Sequence, residues 1–180
     1  MSRTQIVLLR GINIGPRNRI AMPALREALE EAGFDDVRTY VQSGNVVLSA
    51  KSKPEQTARR VERVVTERFG LEIPVVVRTR AELARVVKKN PLARVAKEPK
   101  RYQVSFLAKK APDDIVPKLE AAAAKTERFV VDGREIYAWH PAGVARSKLW
   151  ALLAGRNLGV TATARNWTTV TQLLELADEA

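Results

Sequence analysis

Residues 5–19 read QIVLLRGINIGPRNR, and the organisation of the first half of the chain depends on them. Gln5–Leu9 is a short apolar run, which is typical of a buried strand. Residues 10–19 contain glycine, asparagine and arginine but no acid, and helical spacing begins at Met22. The first backbone N–H groups of a helix are free to donate hydrogen bonds to an anion. An acid-free loop between a strand and the start of a helix therefore indicates an anion-binding loop.

The spacing of apolar residues extends this order into an α+β fold. Up to residue 80 it predicts a helix from Met22 to Ala32, strands at Val37–Gln42 and Asn45–Ser49, a helix from Pro54 to Phe69, and a strand at Pro74–Arg78. Ser43-Gly44 lies between the two middle strands, as in a hairpin. The resulting order, βαββαβ, is that of a ferredoxin-like split βαβ unit.

The second half of the chain repeats most of this pattern. It predicts a strand at Tyr102–Leu107, a helix after Pro112, a hairpin around Asp132-Gly133, a helix at 147–153, a polar loop at 155–165 and a last helix from Asn166 to Ala177. No final strand is evident, so the completeness of this half stays open. We expect two ferredoxin-like halves packed together, at residues 1–80 and 102–180, with a basic helical connector at residues 81–101.

Composition favours a soluble, cytoplasmic protein with an anionic partner. The chain has 31 Lys plus Arg against 20 Asp plus Glu, which gives a net charge of +11. A positive field of this size attracts nucleic acid or phosphates, although excess charge can also serve solubility alone. The absence of cysteine excludes disulfides and thiolate chemistry. No apolar run is long enough to span a bilayer, so no membrane partner is expected.

Several polar segments contain arginine, lysine or amide side chains but no acidic residue. Such segments suit a phosphate or carboxylate ligand. The candidate ligand-binding residues are Arg10, Gly11, Asn13, Gly15, Arg17, Asn18, Arg19, Ser43, Gly44, Asn45, Arg146, Ser147, Lys148, Arg165, Asn166 and Trp167. Each segment also has a structural interpretation: the asparagines can bond their own backbone, Ser43-Gly44 can simply form a turn, and Trp167 can pack instead of stacking on a base.

Residues suited to proton transfer are scarce. His140 is the single histidine, and it precedes Pro141 at a strand end, where we expect it to be exposed or a cap as readily as a base. Ser147 and Lys148 are adjacent, and adjacent helical residues point in different directions, so they do not indicate a nucleophile and its base. No acidic or histidine cluster has metal-ligand spacing. We therefore predict no metal and no cofactor, and we assign no catalytic residue.

Four of these motifs resemble the bacterial domain-of-unknown-function family 1697 (DUF1697). The motifs are LLRGINIG at residues 8–15, YVQSGNVV at 40–47, RSKL at 146–149, and RNW at 165–167 followed by Thr169-Val170. The resemblance implies an α+β fold of two ferredoxin-like halves, and it implies no activity. Pro16 departs from the family pattern and removes one backbone N–H, which weakens a pure backbone cradle for an anion.

Three functions remain open from the sequence. The first is binding of a phosphate-bearing partner, with nucleic acid favoured by the charge. The second is an enzyme acting on a small phosphorylated metabolite, in which positioned arginines stabilise charge. The third is a structural or interaction module in which the motifs hold the two halves together. We expect the four motifs to meet at one cleft in the first two cases, and the oligomeric state is not predicted.

Overall fold

A computed structural model describes residues 1–180 and contains two four-stranded antiparallel sheets. The first part of the chain forms β1 (Arg3–Leu9), α1 (Met22–Glu31), β2 (Asp35–Tyr40), β3 (Asn45–Ala50), α2 (Pro54–Phe69), β4 (Val75–Thr79) and α3 (Arg80–Lys89). Its sheet has the order β2-β3-β1-β4. The predicted ferredoxin-like first half is therefore confirmed.

The second sheet has the same topology. Its elements are β5 (Tyr102–Leu107), α4 (Ile115–Ala122), β6 (Arg128–Asp132), β7 (Glu135–Trp139), α5 (Lys148–Ala154), β8 (Ala162–Asn166) and α6 (Trp167–Asp178). They follow the order β6-β7-β5-β8. The second half is a complete split βαβ unit, and both halves continue into a further helix.

The strand β8 corrects the sequence-based assignment of residues 155–165 to a loop and of Asn166 to a helix. Its sequence, ATARN, holds two alanines and one arginine, so it lacks the Val and Ile content that marks a strand. The strand forms because β5 offers a free backbone edge, to which β8 pairs from Gln103↔Asn166 to Leu107↔Ala162. Tertiary pairing thus overrides weak local propensity.

The chain folds as two compact units, Met1–Arg85 with Gln172–Ala180, and Val86–Thr171. In the first unit, α1 and α2 cover one face of the sheet. Val7 and Leu9 on β1 are buried there together with Leu25 on α1 and Val61 on α2. Full burial of such side chains contributes roughly 1.5–3 kcal/mol each, so this layer holds the helices to the sheet.

The two sheets match each other in register. On β1 and β4, Gln5 pairs with Thr79 and Ile6 with Arg78. On β5 and β8, Gln103 pairs with Asn166 and Val104 with Arg165. Both glutamines and both arginines are buried. This agreement of side-chain type at equivalent positions supports an internal duplication, which the sequence pattern had only suggested.

The loop that follows the first strand differs between the two units. Residues 10–21 connect β1 to α1, whereas the shorter segment 108–114 connects β5 to α4. The extra length therefore belongs to the arginine-containing segment of the first unit alone. None of the helices is both long and apolar enough to cross a membrane.

Gly44 is the glycine whose replacement should damage the fold most. Its φ is +80°, and an added Cβ would lie 2.9 Å from Leu9 Cβ and 3.0 Å from Ile12 Cδ1. Gly44→Ala should therefore lose about 2–4 kcal/mol of unfolding free energy, from backbone strain plus overpacking. Gly33 also has a positive φ, +87°, but open surroundings, so Gly33→Ala is the matched control and should lose only about 1 kcal/mol from backbone strain. Urea denaturation measures both, and equal losses would contradict the packing argument.

Candidate anion-binding site

The side chain of Asn13 holds together the loop formed by residues 10–21. Its Nδ2 donates to the carbonyl oxygens of Ile20, at 2.8 Å, and Gln42, at 2.7 Å. Its Oδ1 accepts from the backbone N–H of Ile20 at 2.9 Å. One amide side chain therefore closes the loop on itself and joins it to the turn between β2 and β3.

Left-handed backbone conformations give this loop its path. Asn13 and Asn18 have φ values of 55° and 53°, and Gly11 and Gly15 both have 66°. Glycine adopts this region without a Cβ penalty, and asparagine tolerates it better than other residues. Asn18 Nδ2 also donates to the carbonyl oxygen of Gly11 at 3.2 Å, and the Asn13 N–H donates to Asn18 O at 3.0 Å. These four sequence-predicted residues form the framework of the loop.

The framework presents two arginines to solvent. Arg17 and Arg19 are both exposed, and residues 10–21 contain no acid. Arg10 is half-buried where β1 ends, and its backbone N–H donates to Pro74 O at 3.0 Å. Because the loop is held by Asn13 and Asn18, the two exposed guanidinium groups project from a defined backbone.

The turn between β2 and β3 supplies the other predicted residues of this unit. Ser43 is exposed, whereas Gly44 is buried and its carbonyl accepts from Leu9 N at 2.9 Å. Asn45 is fully buried, and its Nδ2 donates to Tyr40 O at 3.2 Å across the turn. Ser43 is therefore the residue of this motif that faces solvent, while Gly44 and Asn45 fix the turn.

In the second unit, Ser147 begins α5. Its Oγ accepts from Trp150 N at 3.0 Å, which is an N-cap interaction. Arg146 and Lys148 lie on either side of it and are exposed. The motif therefore places two cations at the surface and uses the serine between them to start the helix.

A buried carboxylate that the sequence did not single out anchors Ser147. Glu127 Oε2 accepts from Ser147 Oγ at 2.6 Å and lies 2.5 Å from His140 Nδ1, while Oε1 accepts from Ala124 N at 3.0 Å. The expectation that His140 is exposed is wrong: the side chain is completely buried, because it pairs with Glu127 and its ring meets Trp150 edge-on. The three donors satisfy a carboxylate that would otherwise be costly to bury.

The electrostatics of this cluster favour a structural role. Burial raises the pKa of Glu127, but the hydrogen bonds from Ser147, Ala124 N–H and His140 together outweigh it and lower the pKa below its ordinary value. The Ser147 hydroxyl gives its hydrogen to Glu127 and accepts from Trp150 N, so it is fully engaged. Glu127 and His140 therefore position the start of α5 and with it Arg146 and Lys148.

The last predicted motif lies mainly inside the second unit. Arg165 is buried, and its Nη1 donates to Thr163 Oγ1 at 2.7 Å and Ala164 O at 2.8 Å. Burial lowers the pKa of Arg165 to about 10. Asn166 Oδ1 accepts from Thr169 N at 2.9 Å and caps α6. Trp167 stacks on Tyr102, with ring centroids 4.8 Å apart and planes 20° from parallel, so one face of its indole is already covered.

Comparison with known proteins places the chain among proteins without an assigned activity. A family model described as "Protein of unknown function (DUF1697)" matches residues 1–137, which include the loop at 10–21 and the turn at 41–44. The motifs at 146–149 and 165–167 lie beyond the end of that match. None of the curated proteins matches the chain significantly.

A solved structure supports the fold over the whole chain. A conserved bacterial protein from Streptococcus pneumoniae is 18% identical, with a TM-score of 0.79, and the comparison covers 98% of this chain and 99% of that one. At this level of identity the likeness extends to the fold alone. The candidate site therefore has to be interpreted from its own geometry.

Removal of the Asn13 side chain should open the loop. Asn13→Gly keeps the positive φ accessible but deletes three hydrogen bonds, so the loop should unfold locally far more often. Trypsin cleavage after Arg17 and Arg19, followed by mass spectrometry, should become faster. Asn157→Gly, at an exposed position, is the control and should leave these cleavages unchanged. Equal cleavage of Asn13→Gly and wild type would show that Asn13 does not hold the loop.

Because of Glu127, the free energy of unfolding should depend on pH in the acidic range. A carboxyl whose pKa is lower in the folded state stabilises the fold above its unfolded pKa, about 4.3, and this contribution is lost as pH falls through the folded value. Glu127→Gln should cost about 1–3 kcal/mol at pH 7, because a buried amide replaces the hydrogen-bonded carboxylate. Below a pH of about 4, the unfolding free energy of wild type should fall more steeply than that of Glu127→Gln.

Chemical denaturation between pH 7 and pH 3 measures this difference. Glu120→Gln, on the exposed side of α4, is the control and should follow the wild-type pH dependence. Parallel curves for wild type and Glu127→Gln would contradict the role given to Glu127.

Proposed function

The chain belongs to the DUF1697 family of proteins of unknown function, and we propose that its residues 10–21 bind the phosphate backbone of a nucleic acid. The observation that carries the proposal is the pair of exposed arginines on an acid-free loop whose backbone is held by Asn13 and Asn18. Side chains that start from a fixed backbone lose less conformational freedom when they bind.

The charge of the whole chain favours a polyanion as the partner. A net charge of +11 produces a field that steers an extended anion toward the protein and raises its local concentration. Each phosphate that an arginine neutralises also releases condensed counterions, which adds to affinity. A single small metabolite would use only a small part of this charge.

The exposure of the arginines also favours an extended ligand. Sites for small molecules are concave and bury most of their ligand, whereas Arg17 and Arg19 stand at the surface. Phosphate contacts in nucleic-acid complexes are made by such surface arginines, together with hydroxyl and amide side chains. In this proposal exposed Ser43, on the turn that Asn13 joins to the loop, adds a further polar contact.

The second unit adds positive charge through its own exposed residues. Arg146 and Lys148 flank the start of α5, and Lys109 and Lys110 occupy the segment equivalent to the anion-binding loop. We assign these four to further phosphate contacts. Arg165, Asn166 and Trp167 have structural roles in this proposal, since their side chains are engaged within the second unit.

A pair of double variants tests the proposal. Arg17→Ala/Arg19→Ala should weaken binding to a single-stranded oligonucleotide and reduce the slope of log affinity against log salt by about 1.4, since each phosphate contact contributes about 0.7. Arg59→Ala/Arg63→Ala removes the same charge from exposed positions on α2 and should leave the slope nearly unchanged. Fluorescence anisotropy across a salt series gives both slopes.

Two outcomes would overturn the assignment. Equal losses in the two double variants would mean that binding reflects net charge alone. Absence of oligonucleotide binding at low salt, combined with a thermal shift produced by a phosphorylated metabolite, would favour the small-metabolite alternative instead. A ligand at 100 times its dissociation constant stabilises the folded state by about 2.7 kcal/mol, and thermal denaturation detects a change of this size.

A further inference from the structure

Two exposed hydrophobic side chains accompany the arginines of the anion-binding loop. Ile14 is 75% exposed and Val41 is 51% exposed, the two highest values among the large hydrophobic residues after Met1. Ile14 follows Asn13 and Val41 precedes Gln42, and Asn13 Nδ2 donates to Gln42 O at 2.7 Å. The two side chains, here called the apolar tip, therefore belong to adjacent segments.

The backbone at the apolar tip is strained and fixed. Val41 has a φ of 48°, a conformation that β-branched residues adopt only when their surroundings impose it. The turn is held in place, because Gly44 lies against Leu9 and Ile12 and its carbonyl oxygen accepts a hydrogen bond from Leu9 N–H. Strained residues of this kind are concentrated at binding sites, where the surrounding structure holds them in place.

We propose that the occupant of this surface is single-stranded nucleic acid, with unstacked bases on the apolar tip and phosphates on Arg17 and Arg19. This inference rests on the proposed function and names the class of nucleic acid. The charge of the loop favours an anionic partner, and the exposed side chains of Ile14 and Val41 favour one that also presents apolar surface. A single strand offers both, since its bases expose their faces beside a charged backbone.

A duplex fits the same surface less well. Its bases are stacked and paired, so its outer surface consists of phosphates, sugars and groove edges. Contact of Ile14 or Val41 with a base face would require the duplex to kink and unstack, which costs free energy. The geometry therefore favours the single strand, and binding to a duplex is the alternative that the experiment tests.

Comparison of a normal and an abasic oligonucleotide isolates the contribution of the bases. Fluorescence anisotropy would measure binding of labelled oligothymidylate, of an abasic strand with the same length and charge, and of a duplex of that length. Wild type should bind oligothymidylate about tenfold more tightly than the abasic strand, since removing roughly 55 Å² of apolar surface from water at about 25 cal/mol per Å² corresponds to a tenfold change in affinity. It should bind the duplex more weakly than oligothymidylate.

Variants of the apolar tip should remove this preference. Ile14→Ser and Val41→Asn replace exposed side chains, and asparagine tolerates the backbone conformation at position 41. Both should bind normal and abasic strands with nearly equal affinity while keeping the wild-type salt slope. Val95→Ser and Val116→Ser change exposed hydrophobic residues elsewhere, at 45% and 40% exposure, and should retain the tenfold preference.

The outcomes separate this inference from the proposed function. Equal affinity of wild type for normal and abasic strands, tighter binding to the duplex, or an unchanged preference in Ile14→Ser would overturn the inference and leave phosphate binding intact. Binding to phosphatidylserine vesicles that Ile14→Ser abolishes, without oligonucleotide binding, would overturn both. Circular dichroism of each variant establishes that the fold is retained.

Discussion

Each sheet depends on two inner strands that form backbone hydrogen bonds along both of their edges, and the first strand of each unit is one of them. The strand β1 lies between β3 and β4, and β5 lies between β7 and β8. All six residues of β5 are buried, as are the last five of β1. A strand of this kind has no freedom of register, because a shift by one residue would move every side chain to the opposite face.

This fixed register determines where the candidate site begins. Leu9 ends β1, and its N–H bonds to Gly44 in the turn between β2 and β3. The loop at residues 10–21 therefore starts beside that turn, and the side chain of Asn13 alone is enough to join the loop to the turn. The position of Arg17 and Arg19 is thus a consequence of pairing in the sheet, transmitted through the hydrogen bonds of Asn13 and Asn18.

Most of the fold could be predicted from the sequence, because the spacing of apolar residues marked the helices and strands and because glycine and asparagine marked the turns. The strands β1 and β3 are short apolar runs whose residues are nearly all buried, and the glycine between β2 and β3 signals the hairpin. The strand β8 escaped prediction because ATARN has little intrinsic preference for a strand and is specified by the edge of β5. Local pattern indicates an element only where the element is stabilised locally.

The candidate site, too, was predictable only in part from the sequence. The motif residues were recognisable, but a sequence does not distinguish an asparagine that binds ligand from one that binds its own backbone. Asn13, Asn18, Asn45 and Asn166 all make hydrogen bonds to the main chain. Glu127 carried no signal at all, since its partners His140 and Ser147 are 13 and 20 residues away and only the fold unites them.

This division gives the polar motifs two separate tasks. Glycine and asparagine shape the backbone, and serine begins a helix, so these residues are needed whether or not a ligand binds. The exposed arginines and lysines contribute little to such framework, and surface charge of one sign even opposes folding through self-repulsion. A chain that keeps Arg17 and Arg19 at the surface of a rigid loop, beside a strained Val41, carries features that stability alone does not explain.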